Sequence, residues 1–298
     1  MTIKRYVYDH GFTFAEELGK NLNHQLNKRI GRHKPSLIII DGAQGEGKTT
    51  LLVQIIDAVN KLKGLPPCSL EIENHPQIAL GGEEFTKLFT ECKRQGLPII
   101  GYDEAGDFSK RGAISGFNAR LIRRFETFRS SNIMVVLCLP NLGILDQHLF
   151  DLQIVRGLLH LKDRGLNQGN FYAYSGFEVG WIRYYMAKLP KPLKYQSYNK
   201  CGWSFRGHFL NLEPERQKAL AKLSDYGKET EDVKAEVKYL GLLTYVDMSR
   251  RLNRSVVWVR KVVTDLKIRE DRIIKKVKYF KKEVFEILLE HKDSTGVR

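Results

Sequence analysis

The segment Gly42-Ala-Gln-Gly-Glu-Gly-Lys-Thr49 decides how this chain folds, because it matches the phosphate-loop pattern G-x-x-x-x-G-K-[ST]. In that pattern the glycines let backbone N–H groups wrap a phosphate, the lysine reaches the β- and γ-phosphates, and the last hydroxyl binds magnesium. The flanks agree: Ser36–Asp41 is an apolar run typical of a buried parallel strand, and Lys48–Leu62 has apolar residues at helical spacing. The segment therefore predicts a strand, a loop and a helix that bind ATP with Mg²⁺.

A pair of carboxylates ends the next apolar run, Leu97-Pro-Ile-Ile-Gly-Tyr-Asp-Glu104. At the end of a buried strand in a phosphate-loop sheet, Asp103 is well placed to hold magnesium through its water shell. Glu104 is then the candidate base that orients and deprotonates the attacking water. Asp107 is a competitor, but it follows Gly106 in a predicted loop, where aspartate usually serves as a cap or turn residue.

The segment Asn118–Arg129 predicts a helix rich in arginine. One of its arginines is a candidate finger that stabilises charge on the γ-phosphate held by a neighbouring subunit. Arg124 and Arg129 are favoured slightly over Arg120 and Arg123. The alternative is a solvated basic face, or a stripe that faces DNA.

Strand-like and helical segments alternate along most of the chain, which favours an α/β fold with a mainly parallel sheet. Asn132–Leu139 predicts a further buried strand, and the pair Ile154–Leu161 and Asn170–Tyr174 predicts an antiparallel hairpin at the sheet edge. Nearby aromatic residues are interpreted as core of this edge rather than as a platform for stacking bases. They are Phe171, Tyr172, Tyr174, Phe177, Trp181, Tyr184 and Tyr185.

Charge and composition divide the chain into three predicted parts. Residues 1–211 are the phosphate-loop ATPase domain, with its core at about 35–165 and a helix before it; residues 212–236 are a charged helical connector. Residues 237–298 are a small DNA-binding domain. The net charge of the chain is +15, and residues 234–298 alone hold 17 Lys/Arg against 9 Asp/Glu. An excess of this size favours a polyanionic partner, most often nucleic acid.

The segment Leu243–Leu266 has the spacing of a helix-turn-helix. Tyr245–Leu252 predicts its first helix, and Ser255 is the expected cap of a recognition helix over Val256–Leu266. The following Arg269–Phe280 predicts a wing hairpin, and the whole segment resembles winged-helix DNA-binding domains over about 50 residues. At helical spacing, the expected core residues are Val256, Val259, Val263 and Leu266, and the expected outward residues are Trp258, Arg260, Lys261 and Thr264. The candidate DNA-binding residues are Arg254, Ser255, Trp258, Arg260, Lys261, Lys275, Lys276 and Lys278.

The remaining features favour a cytoplasmic protein. The four cysteines lie far apart at Cys68, Cys92, Cys138 and Cys201, so no CxxC metal pair is predicted and a reducing compartment is expected. The N-terminus has no apolar run of signal-peptide length, and the longest apolar runs have the size of a strand, not of a membrane span. These features are also compatible with a membrane-associated partner protein.

These motifs together resemble the HerA/FtsK class of RecA-like ATPases, which includes DNA-pumping motors. The resemblance covers roughly residues 35–165 and depends on GAQGEGKTT, on IIGYDEAGDF, on the arginine-rich segment, and on a strand followed by P-x-x-x-x-L-D. It implies a hexameric ring in which ATP lies between subunits, held by Lys48 and Thr49, with Asp103 on magnesium, Glu104 as base and an arginine from residues 123–129 as finger. Family members usually end the strand after the DE pair with a polar sensor, often glutamine. Here Leu139-Pro140-Asn141 stands there, and Asn141 is the candidate substitute for this sensor. AAA+ proteins also combine a DE pair with a polar sensor.

Two hypotheses for the function follow. The first is an ATP-driven DNA translocase or packaging-type motor that forms a homo-oligomeric ring and engages DNA, with double-stranded DNA favoured. The second is an AAA+-type DNA-binding regulator or replication initiator in which ATP switches assembly. A nucleotide kinase is disfavoured because an arginine-rich lid motif is missing. The predicted nucleotide-binding residues are Gly42, Ala43, Gln44, Gly45, Glu46, Gly47, Lys48, Thr49, Thr50 and Asn141.

Overall fold

In the part of the chain that the structure describes, seven strands form the central sheet. In the computed structural model they are β1 (Ser36–Asp41), β2 (Ile78–Ala79), β3 (Ile99–Asp103), β4 (Met134–Leu139), β5 (Val155–Lys162), β6 (Gln168–Ser175) and β7 (Phe205–Leu210). Their order is β2-β3-β4-β1-β5-β6-β7. The first five are parallel, and β6 and β7 are antiparallel to their neighbours. The prediction of an α/β fold with a mainly parallel sheet and an antiparallel edge is confirmed, although the sequence did not reveal β2 or β7.

The structure describes residues 13–28, 36–103, 132–145, 150, 154–162, 168–239, 242–274 and 277–294. The chain divides into two compact units, Met1–Gly227 and Lys228–Arg298. The helices are α1 (Glu16–Lys28), α2 (Lys48–Leu62), α3 (Gly82–Gln95), α4 (Gly176–Lys188), α5 (Pro214–Tyr239), α6 (Tyr245–Leu252), α7 (Val256–Asp265) and α8 (Lys282–Ser294). Short 3₁₀ helices span Leu142–Ile144 and Lys191–Lys200. Within the described part of the chain, none of the helices is both long and apolar enough to cross a membrane.

Helices cover the sheet of the first unit on both faces, which explains the continuous apolar runs of β1 and β4. Alternate residues of β1 point to opposite cores. Ile38 and Ile40 pack in a core with α1 and α2, whereas Leu37 and Ile39 pack in a second core with α3 and α4. The close approach of α2 to β3 depends on Gly101, because a Cβ there would lie 2.6 Å from a Leu52 methyl carbon. The lack of a side chain at Gly101 thus leaves room for Leu52 of α2 beside β3.

The aromatic residues near the sheet edge do not share one core. Phe171 and Tyr174 are buried in the sheet, as expected, but Phe177, Trp181 and Tyr184 are exposed. The interpretation of these three as core is wrong. Their spacing of four and three residues puts them on one face of α4, while the opposite face, with Val179, Ile182 and Met186, packs on the sheet.

The second unit combines the C-terminal part of α5 and the helices α6, α7 and α8 with a small antiparallel sheet. Its strands are β8 (Leu243–Thr244), β9 (Arg272–Ile274) and β10 (Val277–Phe280), in the order β8-β10-β9. A capping box joins Thr244 to Asp247 at the start of α6, and Asn253 ends that helix in the left-handed region. Ser255 caps α7 by accepting a hydrogen bond from the Trp258 N–H. The predicted bounds of α6 and the predicted cap of α7 are confirmed.

Three predicted orientations in α7 need correction. Val256, expected in the core, is only partly buried and lies outside the core cluster because it stands in the first turn of the helix. Leu266, expected in the core, is 40% exposed because α7 ends at Asp265 and the chain turns there. Trp258, expected to face outward, is half-buried against the core of the unit. The core face of α7 is formed by Val259, Val262 and Val263.

Candidate nucleotide site

The candidate site lies where the parallel strands end. Asp41 is the last residue of β1 and pairs in register with Leu139 of β4, while Asp103 at the end of β3 pairs with Cys138. The carboxyl ends of β1, β4 and β3 therefore meet at one edge. In open α/β sheets this edge is the usual place for a ligand.

The loop between β1 and α2 depends on its glycines. Gly42, Gly45 and Gly47 have φ values of +152°, +86° and +88°, a region that residues with a side chain rarely adopt. A Cβ on Gly42 would also lie 3.0 Å from both the Cβ and the carbonyl oxygen of Leu161. The crest of the loop, Ala43–Gly45, is exposed. The glycines thus hold an open turn that a phosphate can approach.

Positive charge converges on this turn. The Lys48 Nζ donates hydrogen bonds to the carbonyl oxygens of Gly42 and Ala43, at 2.8 and 2.9 Å, so the ammonium lies over the loop. Helix α2 begins at Lys48 and has no acidic residue in its first turn. A helix N-terminus carries partial positive charge and unpaired N–H groups, which favour an anion. The Lys48 ammonium and the N-terminus of α2 therefore both favour an anion at the phosphate loop.

Thr49 and Asp103 meet although 54 residues separate them. The Thr49 Oγ1 donates a hydrogen bond to the Asp103 Oδ2 at 2.9 Å, and the Asp103 carboxylate is buried at the end of β3. Magnesium prefers hard oxygen ligands and usually keeps several water molecules, so Thr49 offers a direct hydroxyl ligand and the neighbouring Asp103 carboxylate can accept hydrogen bonds from the water shell of the ion. The residues present therefore fit a magnesium ion shared with phosphate and water oxygens.

Asn141 lies at the same edge, just after β4. Its side chain caps the 3₁₀ helix Leu142–Ile144, because the Oδ1 accepts a hydrogen bond from the Gly143 N–H at 2.6 Å. The cap uses the amide oxygen, whereas a phosphate sensor must donate from the amide nitrogen. The two tasks are compatible. The other candidate residues of the reaction, Glu104, Arg124 and Arg129, lie outside the described residues.

A polar cluster formed by the buried Asp41 and Tyr198 and the half-buried His160 adjoins the phosphate loop, and the sequence analysis did not predict it. The Asp41 Oδ1 lies 2.8 Å from the His160 Nδ1, and its Oδ2 accepts from the Tyr198 hydroxyl and, at 3.0 Å, from the Leu142 N–H. The His160 and Tyr198 rings stack with centroids 3.9 Å apart. Only the ending of an apolar strand on Asp41 hinted at this cluster, because its other members are 119 and 157 residues away.

The candidate DNA-binding residues of the second unit are arranged unevenly. Arg260 and Lys261 are exposed on α7. Ser255 uses its hydroxyl for the helix cap, and the Arg254 guanidinium lies 5.8 Å from the centre of the Trp258 ring. Lys278 forms an ion pair with Glu270, with 3.3 Å between charged atoms. Lys275 and Lys276 lie outside the described residues.

No family model matches the sequence, and no curated protein matches it significantly. Among solved structures, the chain is similar to the N-terminal domain of zonular occludens toxin from Neisseria meningitidis. The two share 13% sequence identity with a TM-score of 0.34, and the match covers 61% of this chain and 96% of that domain. It is also similar to a chain of the HORMA–CdnC–Trip13 complex of Escherichia coli, with 17% identity and a TM-score of 0.32 over 49% and 57% of the two chains. A KaiC-like protein of Pyrococcus horikoshii has 13% identity and a TM-score of 0.29, over 47% of this chain and 78% of that one. Likenesses at this level assign no activity, which has to be argued from the residues of the site.

Proposed function

We propose that this chain is a RecA-like P-loop ATPase that uses magnesium and ATP to move DNA, as a translocase or packaging-type motor. The observation that supports hydrolysis best is the pair formed by Thr49 and Asp103 beside the phosphate loop. A glycine-rich turn with a merely structural role does not require a hydroxyl next to a buried carboxylate from a separate strand. Magnesium bound by a triphosphate does require such oxygens.

Each residue of the site has a distinct task in the proposed reaction. Lys48 would exchange two neutral carbonyl acceptors for charged phosphate oxygens, which form stronger hydrogen bonds. Thr49 and Asp103 would hold the magnesium ion, which neutralises charge on the phosphate oxygens when bound. Asn141 would donate from its amide nitrogen to the γ-phosphate. Glu104 would accept the proton of the attacking water.

The proposal that DNA is the partner depends on the second unit. A helix-turn-helix followed by a two-stranded hairpin is the element order of winged-helix domains, and such domains put the second helix in the major groove. Arg260 and Lys261 are exposed on that second helix. The charge excess of residues 234–298 lies in the same part of the chain. We therefore assign DNA engagement to residues 237–298.

A ring with ATP sites between subunits completes the proposal. The segment 118–129 offers four arginines, more than one site within a single chain can use. An arginine supplied by the neighbour, with Arg124 and Arg129 favoured, would couple hydrolysis to movement between subunits. A hexamer is the size implied by the family resemblance.

The test of this proposal measures ATP turnover with and without long double-stranded DNA, and then asks whether turnover displaces a protein roadblock from that DNA. A motor is expected to hydrolyse faster on long DNA than on short duplexes, and to clear the roadblock only with hydrolysable ATP. Turnover that is indifferent to DNA length, with the roadblock left in place, would favour the AAA+-type regulator. No ATP turnover under any condition would overturn the proposed activity itself.

Reversal of two exposed charges on α7 tests the DNA interface. The double variant Arg260→Glu, Lys261→Glu is expected to weaken binding to all duplex sequences, because phosphate contacts release condensed counterions. The plot of log affinity against log salt concentration should become less steep, with a slope smaller in magnitude by about 2, which is about 1 for each lost phosphate contact. Fluorescence anisotropy at four salt concentrations measures both quantities.

The matched control reverses the same number of charges on α5, at the exposed residues Lys218 and Lys222 of the first unit. This double variant should retain the wild-type salt slope. Equal losses in the two double variants would show that net charge alone attracts DNA, and the α7 interface would be rejected.

A further inference from the structure

The cluster of Asp41, His160 and Tyr198 connects two segments that must be aligned in the proposed reaction. Asp41 is the residue directly before Gly42, so its position fixes where the phosphate loop begins. The Asp41 carboxylate also accepts a hydrogen bond from the Leu142 N–H, and Leu142 directly follows Asn141. One carboxylate therefore holds the start of the phosphate loop and the candidate sensor together.

The carboxylate has little freedom to leave this position. Its side chain is 1% exposed, and a buried carboxylate needs hydrogen-bond donors to offset its lost hydration. The Tyr198 hydroxyl and the Leu142 N–H both donate hydrogen bonds to the Asp41 Oδ2, and the His160 Nδ1 is hydrogen-bonded to the Asp41 Oδ1. Burial and the Asp41 carboxylate raise the pKa of Tyr198 above its usual range, so the phenol keeps its proton and stays a donor.

Several elements of the fold meet at the cluster. His160 pairs in register with Asp41 across β1 and β5, and the next residue, Leu161, packs against Gly42. Tyr198 comes from the 3₁₀ helix Lys191–Lys200, and its ring covers the His160 ring. Strands β1 and β5, the turn after β4 and the 3₁₀ helix thus meet at one carboxylate.

We propose that Asp41, His160 and Tyr198 are positioning residues for ATP hydrolysis, with Tyr198 and His160 acting through Asp41 to align the phosphate loop with Asn141. This inference rests on the proposed ATPase function. A misplacement of reacting groups by about 1 Å can lower a rate by roughly a hundredfold. Loss of one hydrogen bond to the shared carboxylate is expected to slow the chemical step more than it weakens nucleotide binding.

The first experiment replaces Tyr198 by phenylalanine in the full chain, which removes the hydroxyl and keeps the ring stacked on His160. We expect kcat to fall roughly tenfold while the dissociation constant for ADP changes by less than about twofold. Tyr174→Phe is the matched control, because Tyr174 is also a buried tyrosine near the cluster, but its hydroxyl donates to the Tyr198 carbonyl and not to Asp41. The control should keep its kcat within about twofold of wild type.

The second experiment separates hydrogen bonding from packing at His160. His160→Asn keeps an N–H donor where the Nδ1 stood and loses the ring, whereas His160→Phe keeps the ring and loses the donor. A positioning role predicts that the asparagine variant has the higher kcat. Thermal unfolding of all variants separates these effects from loss of the fold.

The proposal is overturned if Tyr198→Phe and Tyr174→Phe lower kcat by the same factor, or if His160→Phe is the more active of its pair. Either result would give the cluster a role in packing alone. These outcomes differ from a failure of the proposed function, in which the wild-type chain itself hydrolyses no ATP.

Discussion

Lys48→Ala is expected to lower ATP turnover by about 10²- to 10³-fold, because it removes the cation that stabilises negative charge as it develops on the phosphate oxygens. Binding of ATP should weaken by roughly tenfold or more, since a hydrogen bond between charged groups is lost as well. Phosphate release at saturating ATP measures the first effect, and titration with a fluorescent nucleotide measures the second. The fold should persist, because in the structure the Lys48 Nζ contacts only main-chain oxygens of its own loop among the bonds described.

The control for this prediction is Lys61→Ala, which removes the same side chain from the last turn of the same helix. It should hydrolyse and bind ATP like the wild type. Wild-type turnover in Lys48→Ala would mean that Gly42–Thr49 is not the site of the reaction, and the proposed ATPase activity would be abandoned.

The sequence predicted the phosphate-loop unit well because its information is local. The glycines, Lys48 and Thr49 lie within eight residues, and the required backbone conformations restrict which residues can stand there. The sequence information is also local in the second unit, where Thr244 caps the start of α6 and Asn253 ends the helix. Short-range patterns of this kind define elements before any tertiary contact is known.

Features that depend on several distant segments were harder to predict. Asp41, His160 and Tyr198 come from β1, β5 and a 3₁₀ helix, and no spacing along the chain brings them together. The exposure of Phe177 and Trp181 was missed because apolar type alone does not say which face of a helix the sheet covers. The half-burial of Trp258 was missed for a different reason, because helical spacing from Val259 and Val263 placed it outward, whereas the core face of α7 also includes Val262.

Glu104→Gln is expected to bind ATP with nearly wild-type affinity and to hydrolyse it at least about 10²-fold more slowly. An amide has nearly the size and hydrogen-bonding reach of the carboxylate, but it cannot accept the proton of the attacking water. Lys48 and the pair formed by Thr49 and Asp103 are unchanged, so the contacts to phosphate and magnesium stay in place. Burst and steady-state phosphate release, together with nucleotide titration, measure the two quantities.

The same variant also tests the ring, because blocked hydrolysis should let an ATP-bound oligomer accumulate. Mass photometry of Glu104→Gln with ATP and DNA is expected to show one closed assembly that disappears with ADP. Asp107→Asn is the matched control, since it removes a neighbouring carboxylate and should leave turnover unchanged. If Asp107→Asn instead binds ATP without hydrolysing it while Glu104→Gln is active, the base has been assigned to the wrong residue. If Glu104→Gln stays monomeric with ATP and DNA, sites shared between subunits are rejected, and hydrolysis would then act as a switch within a single DNA-bound chain.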